Sequence, residues 1–154
     1  MKSRKNKATS RLSGTARAAL LAGAVGVLLG VAVAPAGAAT AWGQIGNIGS
    51  ALGISYNNQA GVDNSSKWAA TVTSANTNAP VGYIGSRGRL FNGSSICSDP
   101  GTTYNNVAAS SHYGYSTFGV SCGSGARYSY GVSYFYNGSG YNAAYTFQSP
   151  SLNF

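Results

Sequence analysis

Between Arg127 and Phe147 large and small side chains alternate with a period of two, a pattern that a strand presents and a helix cannot. In RYSYGVSYFY, Tyr128, Tyr130, Val132, Tyr134 and Tyr136 share one face, while Arg127, Ser129, Gly131, Ser133 and Phe135 share the other. YNAAYTF then places Tyr141, Ala143, Tyr145 and Phe147 together. Asn137-Gly138 lies between the two runs, and this dipeptide accepts the positive φ angles of a type I′ hairpin turn at little cost. A two-residue turn would set Tyr136 opposite Ser139, whereas a four-residue NGSG loop would change the partners. Either one keeps the large residues on a common face.

The turn phrase occurs twice, as RLFNGSS at 89–95 and YFYNGSG at 134–140, and each copy reads as a hairpin. VGYIGSRGRLF is a strand weakened or bulged at Gly85 and Gly88, Asn92-Gly93 turns the chain, and SSICS returns it with Cys97 in the second arm. Further strands are expected in KWAATVTS (67–74), TTYNNVAAS (102–110) and YGYSTFGVSC (113–122). In AWGQIGNIGSALGISYNN, Ile45, Ile48, Leu52 and Ile54 have a loose helical spacing, but Gly43, Gly46, Gly49 and Gly53 oppose a helix and leave a strand pair or an irregular cover. The pattern predicts an all-β domain, an antiparallel β-sandwich or small barrel of about six to eight strands.

Residues 1–38 have the make-up of a cleaved secretory signal peptide, leaving 39–154 as a single β domain. Lys2, Arg4, Lys5, Lys7, Arg11 and Arg17 form a basic start, Ala18 to Ala34 is uninterrupted and apolar, and Pro35 and AGAATA follow. Cleavage after Ala38, Ala39 or Ala41 fits the small-residue rule. The expected product is secreted and extracellular, with no membrane segment after cleavage. The leader also carries most of the chain's formal charge of +8. After it, Lys67, Arg87, Arg89 and Arg127 face only Asp63 and Asp99, so the domain is nearly neutral and lacks the basic patch that nucleic acid requires.

Cys97 and Cys122 are the only cysteines, and in an exported chain an even pair predicts one disulfide. Catalytic chemistry is poorly supplied. A triad would have to use His112 with Asp63 or Asp99, no G-x-S-x-G elbow is present, and a glycosidase pair would need those same two carboxylates. Asp63 in VDNSSKW and Asp99 in SDPG both read as turn formers. One His and two separated Asp make no metal site, and no cofactor is implied. Hence no enzyme is expected.

What remains is surface recognition, for which Tyr, Asn, Ser, Gly and Trp are suited. Tyr130, Tyr134, Tyr136, Tyr141 and Tyr145 share a face and offer more hydroxyls than a small core readily satisfies. Those nearest the turn, Tyr134, Tyr136 and Tyr141, with the amide of Asn137, form the expected binding strip for an extracellular glycan or protein ligand. The alternative is that the tyrosines fill the core and the Ser, Asn and Gly residues merely solubilise the outside. Nothing in the sequence sets the oligomeric state.

The leader, the two-cysteine β domain and the run YIGSRGRLF, YSYGVSYFYNGSGY and TFQSPS resemble small secreted proteins of filamentous Gram-positive bacteria, a likeness that implies no activity. GYIGSRG (Gly82 to Gly88) resembles a segment of the tendamistat-type α-amylase inhibitors. That resemblance implies a disulfide-linked β-sandwich and, as the alternative function, inhibition of a secreted hydrolase. The chain departs from that family in having one cysteine pair instead of two. It also lacks the Trp-Arg-Tyr turn, since Trp42 lies in AWGQ and Trp68 in KWAA.

Overall fold

The structure, a computed structural model, describes residues 37, 39–117 and 122–154. The expected leader lies outside them apart from Gly37. The described residues form strands β1 (Thr40–Trp42), β2 (Gly46–Ala51), β3 (Ile54–Asp63), β4 (Trp68–Ala79), β5 (Ile84–Arg87), β6 (Leu90–Asn92), β7 (Ser95–Ser98), β8 (Thr103–Tyr104), β9 (Ala109–Thr117), β10 (Ala126–Ser129), β11 (Val132–Tyr136), β12 (Tyr141–Tyr145) and β13 (Leu152–Asn153). All pairings among them are antiparallel. The described residues therefore make an all-β domain built of antiparallel sheets and closed by one disulfide, Cys97 to Cys122, with Cα atoms 5.3 Å apart.

The first sheet has the order β1-β3-β4-β9, with β2 pairing further along the edge of β3 that β1 also uses. The glycine-rich opening thus resolves as a strand pair, β2 turning into β3 through Leu52 and Gly53, whose φ angles of 53° and 78° are both left-handed. The second sheet, β12-β11-β5-β8, and the third, β13-β10-β6-β7, share two polypeptide runs. In one, β5 leads into β6; in the other, β10 leads into β11. The strand-forming segments of the two recurring phrases are accordingly paired with each other.

More strands are present than sequence pattern suggests because long runs break where the layers touch. A Cβ on Gly88 would run into the carbonyl oxygen of Gly114 in β9, and one on Gly131 would overlap the Thr71 hydroxyl in β4. Backbone meets backbone there, and the ladder yields between β5 and β6 and between β10 and β11. Thr146 and Ser149 carry the edge past the break: their amides donate to Gly131 and Ser129 oxygens (3.1 and 3.0 Å), and their hydroxyls accept from the same residues' amides (3.0 and 2.8 Å). TTYNNVAAS contributes only β8 before a turn and the start of β9. Within YGYSTFGVSC, positions 118–121 lie outside the described residues.

Apolar packing is divided between two clusters. Ile54, Tyr56, Ala79, Ile84 and Phe135 form one; Val62, Ala69, Leu90 and Leu152 form the other. Between the layers also lie buried hydroxyls, those of Thr71, Thr73, Ser86, Ser116, Ser129 and Ser133. Several reach across to the opposite backbone: Thr73 to Gly85 O (2.9 Å), Ser86 to His112 O (2.9 Å) and Ser129 to Ala70 O (3.0 Å). Small side chains let the layers approach closely enough for a short hydroxyl to span the gap, and each bond satisfies a buried polar group that would otherwise be costly. Ser and Thr are thus partly interior here, contrary to the expectation that they only solubilise the surface.

Candidate functional site

The C-terminal hairpin decides which face of the tyrosine run meets the core. β11 lies between β12 and β5, and Ser133 and Phe135 are buried while Tyr134 and Tyr136, which alternate with them, are half-exposed. Tyr141 and Tyr145 on β12 are 45% and 63% exposed. Of the eleven tyrosines only Tyr56 belongs to the core, stacked on Phe135 with ring centroids 4.8 Å apart. Filling the interior with the hairpin tyrosines is not what this fold does.

The loop is the four-residue form, since Tyr136 pairs with Tyr141 and Tyr134 with Ala143. Asn137 closes it. Its side-chain oxygen accepts from Ser139 N, Ser139 Oγ and Gly140 N at 3.1, 3.2 and 3.0 Å, and its Nδ2 donates to Asn142 Oδ1 at 2.9 Å. The amide expected to reach a ligand is therefore engaged in shaping the turn. Tyr136 and Tyr141 spend their hydroxyls similarly, donating to the carbonyls of Gly138 and Gly82, both at 2.7 Å. Their ring faces are what stays available.

Those rings join two others that the hairpin pattern alone does not reveal. Tyr83 stands 4.9 Å from Tyr136, and Tyr104 stands 4.9 Å from Tyr141 and 6.4 Å from Tyr134, while Tyr136 and Tyr141 are 5.6 Å apart. Pairing the two phrase-bearing strands with one another would have located Tyr83, because Tyr136 N donates to its carbonyl at 2.9 Å. Tyr104 has no such signal; its short strand reaches the site only through β5. Val81, Gly82, Tyr83, Tyr136 and Tyr141 line a cleft of about 290 Å³.

Beyond Tyr134 the aromatic face continues through Arg89, whose guanidinium sits 5.5 to 5.6 Å from the ring centres of Phe91, Tyr130 and Tyr145. Tyr130 and Tyr145 stack in parallel at 5.5 Å. Arg87 forms a two-point ion pair with Asp99 at 2.6 and 2.7 Å, which raises the guanidinium's pKa and holds the carboxyl below the usual carboxylate range. Burial pushes the Tyr104 phenol up, with Tyr141 and Tyr134 adding to the effect. The cluster therefore offers neutral rings, with its nearby charges already paired or stacked.

The other titratable side chains lie apart. Asp63 ends β3 and accepts from the Thr40 hydroxyl, from Ser65 Oγ at 2.8 Å and from Ser66 N at 2.6 Å. His112 on β9 has Nε2 2.9 Å from the Thr103 hydroxyl, and burial lowers its pKa. Asp63 belongs to the first sheet and Asp99 is tied to the second, each in its own hydrogen-bond set. Among the described residues no three His, Cys, Asp or Glu side chains gather as a metal site requires. The segment Gly82 to Gly88 supplies β5, with Ile84, Gly85 and Ser86 buried. The chain matches no family model, no curated protein and no solved structure.

Proposed function

We propose that the mature chain is a secreted, non-catalytic recognition module whose ligand, an extracellular glycan or protein, docks on the aromatic face of the C-terminal hairpin. The leader supports export, and the two facing layers are taken as a β-sandwich. The observation that carries the reading is the cleft at Tyr83, Tyr136 and Tyr141, where Tyr136 is held by a hydrogen bond to Gly138 of its own loop and Tyr141 by one to Gly82 across the cleft, leaving their ring faces to a ligand. Rings fixed before binding lose little conformational freedom when a ligand arrives. Near-neutral charge favours a ligand read by ring contact and hydrogen bonding over one held by ions.

Retention of the mature protein on insoluble polysaccharides and on whole cells, alongside thermal melts, tests this. Tyr136→Ala and Tyr141→Ala are expected to lower retention with only a small change in melting temperature, since neither ring is core. Unchanged retention in both variants, or collapse of the fold with binding intact in the residual folded fraction, would end the hairpin reading. Stoichiometric loss of activity when the protein is titrated into a secreted amylase or protease would instead indicate inhibition.

A further inference from the structure

A second aromatic group occupies the outer face of the first sheet, away from the hairpin's own sheet. Trp42 of β1 pairs with Gly61, Gly61 with Ala70, and Ala70 with Tyr115, making one row across four strands. Trp68 and Tyr113 flank that row on either side. Trp42 lies flat on the backbone, because a Cβ on Gly61 would fall 2.5 to 2.7 Å from three of its ring carbons. Its other face is turned outward, and the residue is 38% exposed. Tyr113 stands against this floor at 6.5 Å with the planes at 73°, and Tyr115 runs parallel to Tyr113 at 5.8 Å. Trp68 closes the corner, 5.8 Å from both Trp42 and Tyr115. Beneath the rings Ala70 and Val72 are buried although they point away from the core, so the inner surfaces of the group are already occupied.

The polar groups of this cluster set it apart from the hairpin. The hairpin's Tyr136 and Tyr141 donate their hydroxyls to main-chain carbonyls, whereas the hydroxyls of Tyr113 and Tyr115 and the indole N–H groups of Trp42 and Trp68 make no hydrogen bond to the described residues. Tyr113 and Tyr115 are 41% and 53% exposed. A purely apolar partner would cover these donors without replacing their water. An anionic partner would find no cation within the row: Lys67 sits in the turn beyond Trp68, and the carboxylate of Asp63 is bound to Thr40, Ser65 and Ser66. A neutral sugar meets both demands, since its C–H face carries the weak positive charge that an indole face attracts and its rim carries hydroxyls.

From this flat floor, upright wall and unspent donors we infer a second ligand site, for a neutral polysaccharide. One pyranose ring lies on Trp42, and its hydroxyls meet the phenols of Tyr113 and Tyr115. The inference rests on the reading of the chain as an extracellular recognition module but uses none of the hairpin residues. Cellulose and chitin serve as neutral probes and heparin-agarose as the charged control, with the mature protein and its variants Trp42→Ala, Tyr115→Ala and Tyr113→Phe. Retention on at least one neutral probe should fall about tenfold in Trp42→Ala and Tyr115→Ala and a few-fold in Tyr113→Phe, which removes only an exposed hydroxyl. Soluble oligosaccharides of the retained polymer should shift the tryptophan emission of the wild type and not of Trp42→Ala. Should Trp42→Ala fail to fold, the two tyrosine variants decide. Retention lost only in Tyr136→Ala and Tyr141→Ala overturns this site and leaves the hairpin standing; loss only in the Trp42 and Tyr115 variants does the reverse. Retention on neither neutral polymer, or retention on heparin alone, overturns the inference.

Discussion

Gly61 and Gly85 each lie beneath an aromatic ring, Trp42 and Tyr104 respectively, and at either position a Cβ would stand 2.5 to 2.8 Å from ring carbons. Carbon atoms do not approach so closely without one of them moving, so the bare backbone sets how flat each ring can lie. Gly61→Ala is therefore expected to lift Trp42, redden its fluorescence and lower the melting temperature, whereas Gly140→Ala, at a position with open space around it, should leave both unchanged. A Gly61→Ala protein with wild-type emission would show that the ring is held some other way. Nothing in the sequence links AWGQ to QAGVD, because their contact arises only when β1 pairs with β3. The hairpin tyrosines were legible for the opposite reason: their facing is written in one continuous stretch of period two. Asn137 was legible as a turn residue but not as the group that fills its own loop, which depends on the loop having four residues.

Short strands in this fold are tied down by side chains at their ends. β1 has three residues, and its first, Thr40, donates to the Asp63 carboxylate, while Asn64 accepts from Ala39 N at 2.8 Å. Asp63 is held below the ordinary carboxylate range chiefly by the Thr40 hydroxyl, and Asp99 chiefly by the Arg87 guanidinium. A lowered folded-state pKa stabilises the fold fully above the unfolded carboxylate value, about 4, and that stabilisation is lost as pH falls through the folded-state value. Burial of neutral His112 acts with the same sign, beginning to fail as the pH drops below the ordinary imidazole value. Melting temperature should thus decline on acidification, most steeply below about pH 4, and Asp63→Asn should flatten that decline while loosening β1. An acid limb unchanged in both Asp63→Asn and Asp99→Asn would contradict the assignment. Alternation identified most of the strand segments, but not where they break. The sequence contains Gly88 and Gly131, and only the packed layers show that Gly114 and Thr71 lie against them.

Across the whole domain the interior is divided: two modest apolar clusters share the space between the layers with hydroxyls bonded to facing carbonyls. This arrangement could not be inferred from composition, since a serine that reaches across a closely packed gap and one in contact with water look alike in a sequence. With little apolar area to draw on, the Cys97 to Cys122 bridge should matter: replacing both cysteines by serine is expected to reduce stability by roughly 3 kcal/mol, measured by denaturant titration. No change in midpoint would refute that. The bridge also spans 25 positions that include β8 and the whole of β9. A protease that cuts the chain once anywhere inside that span releases nothing, because the two pieces remain covalently joined and each stays at high local concentration near its partner strands. Limited digestion at such a site should give one band on a non-reducing gel and two after reduction, with ligand retention surviving the cut and ending when reductant is added. Under the export proposed above, the disulfide sets the number of cuts needed to inactivate the domain, so that damage in this stretch takes two events instead of one.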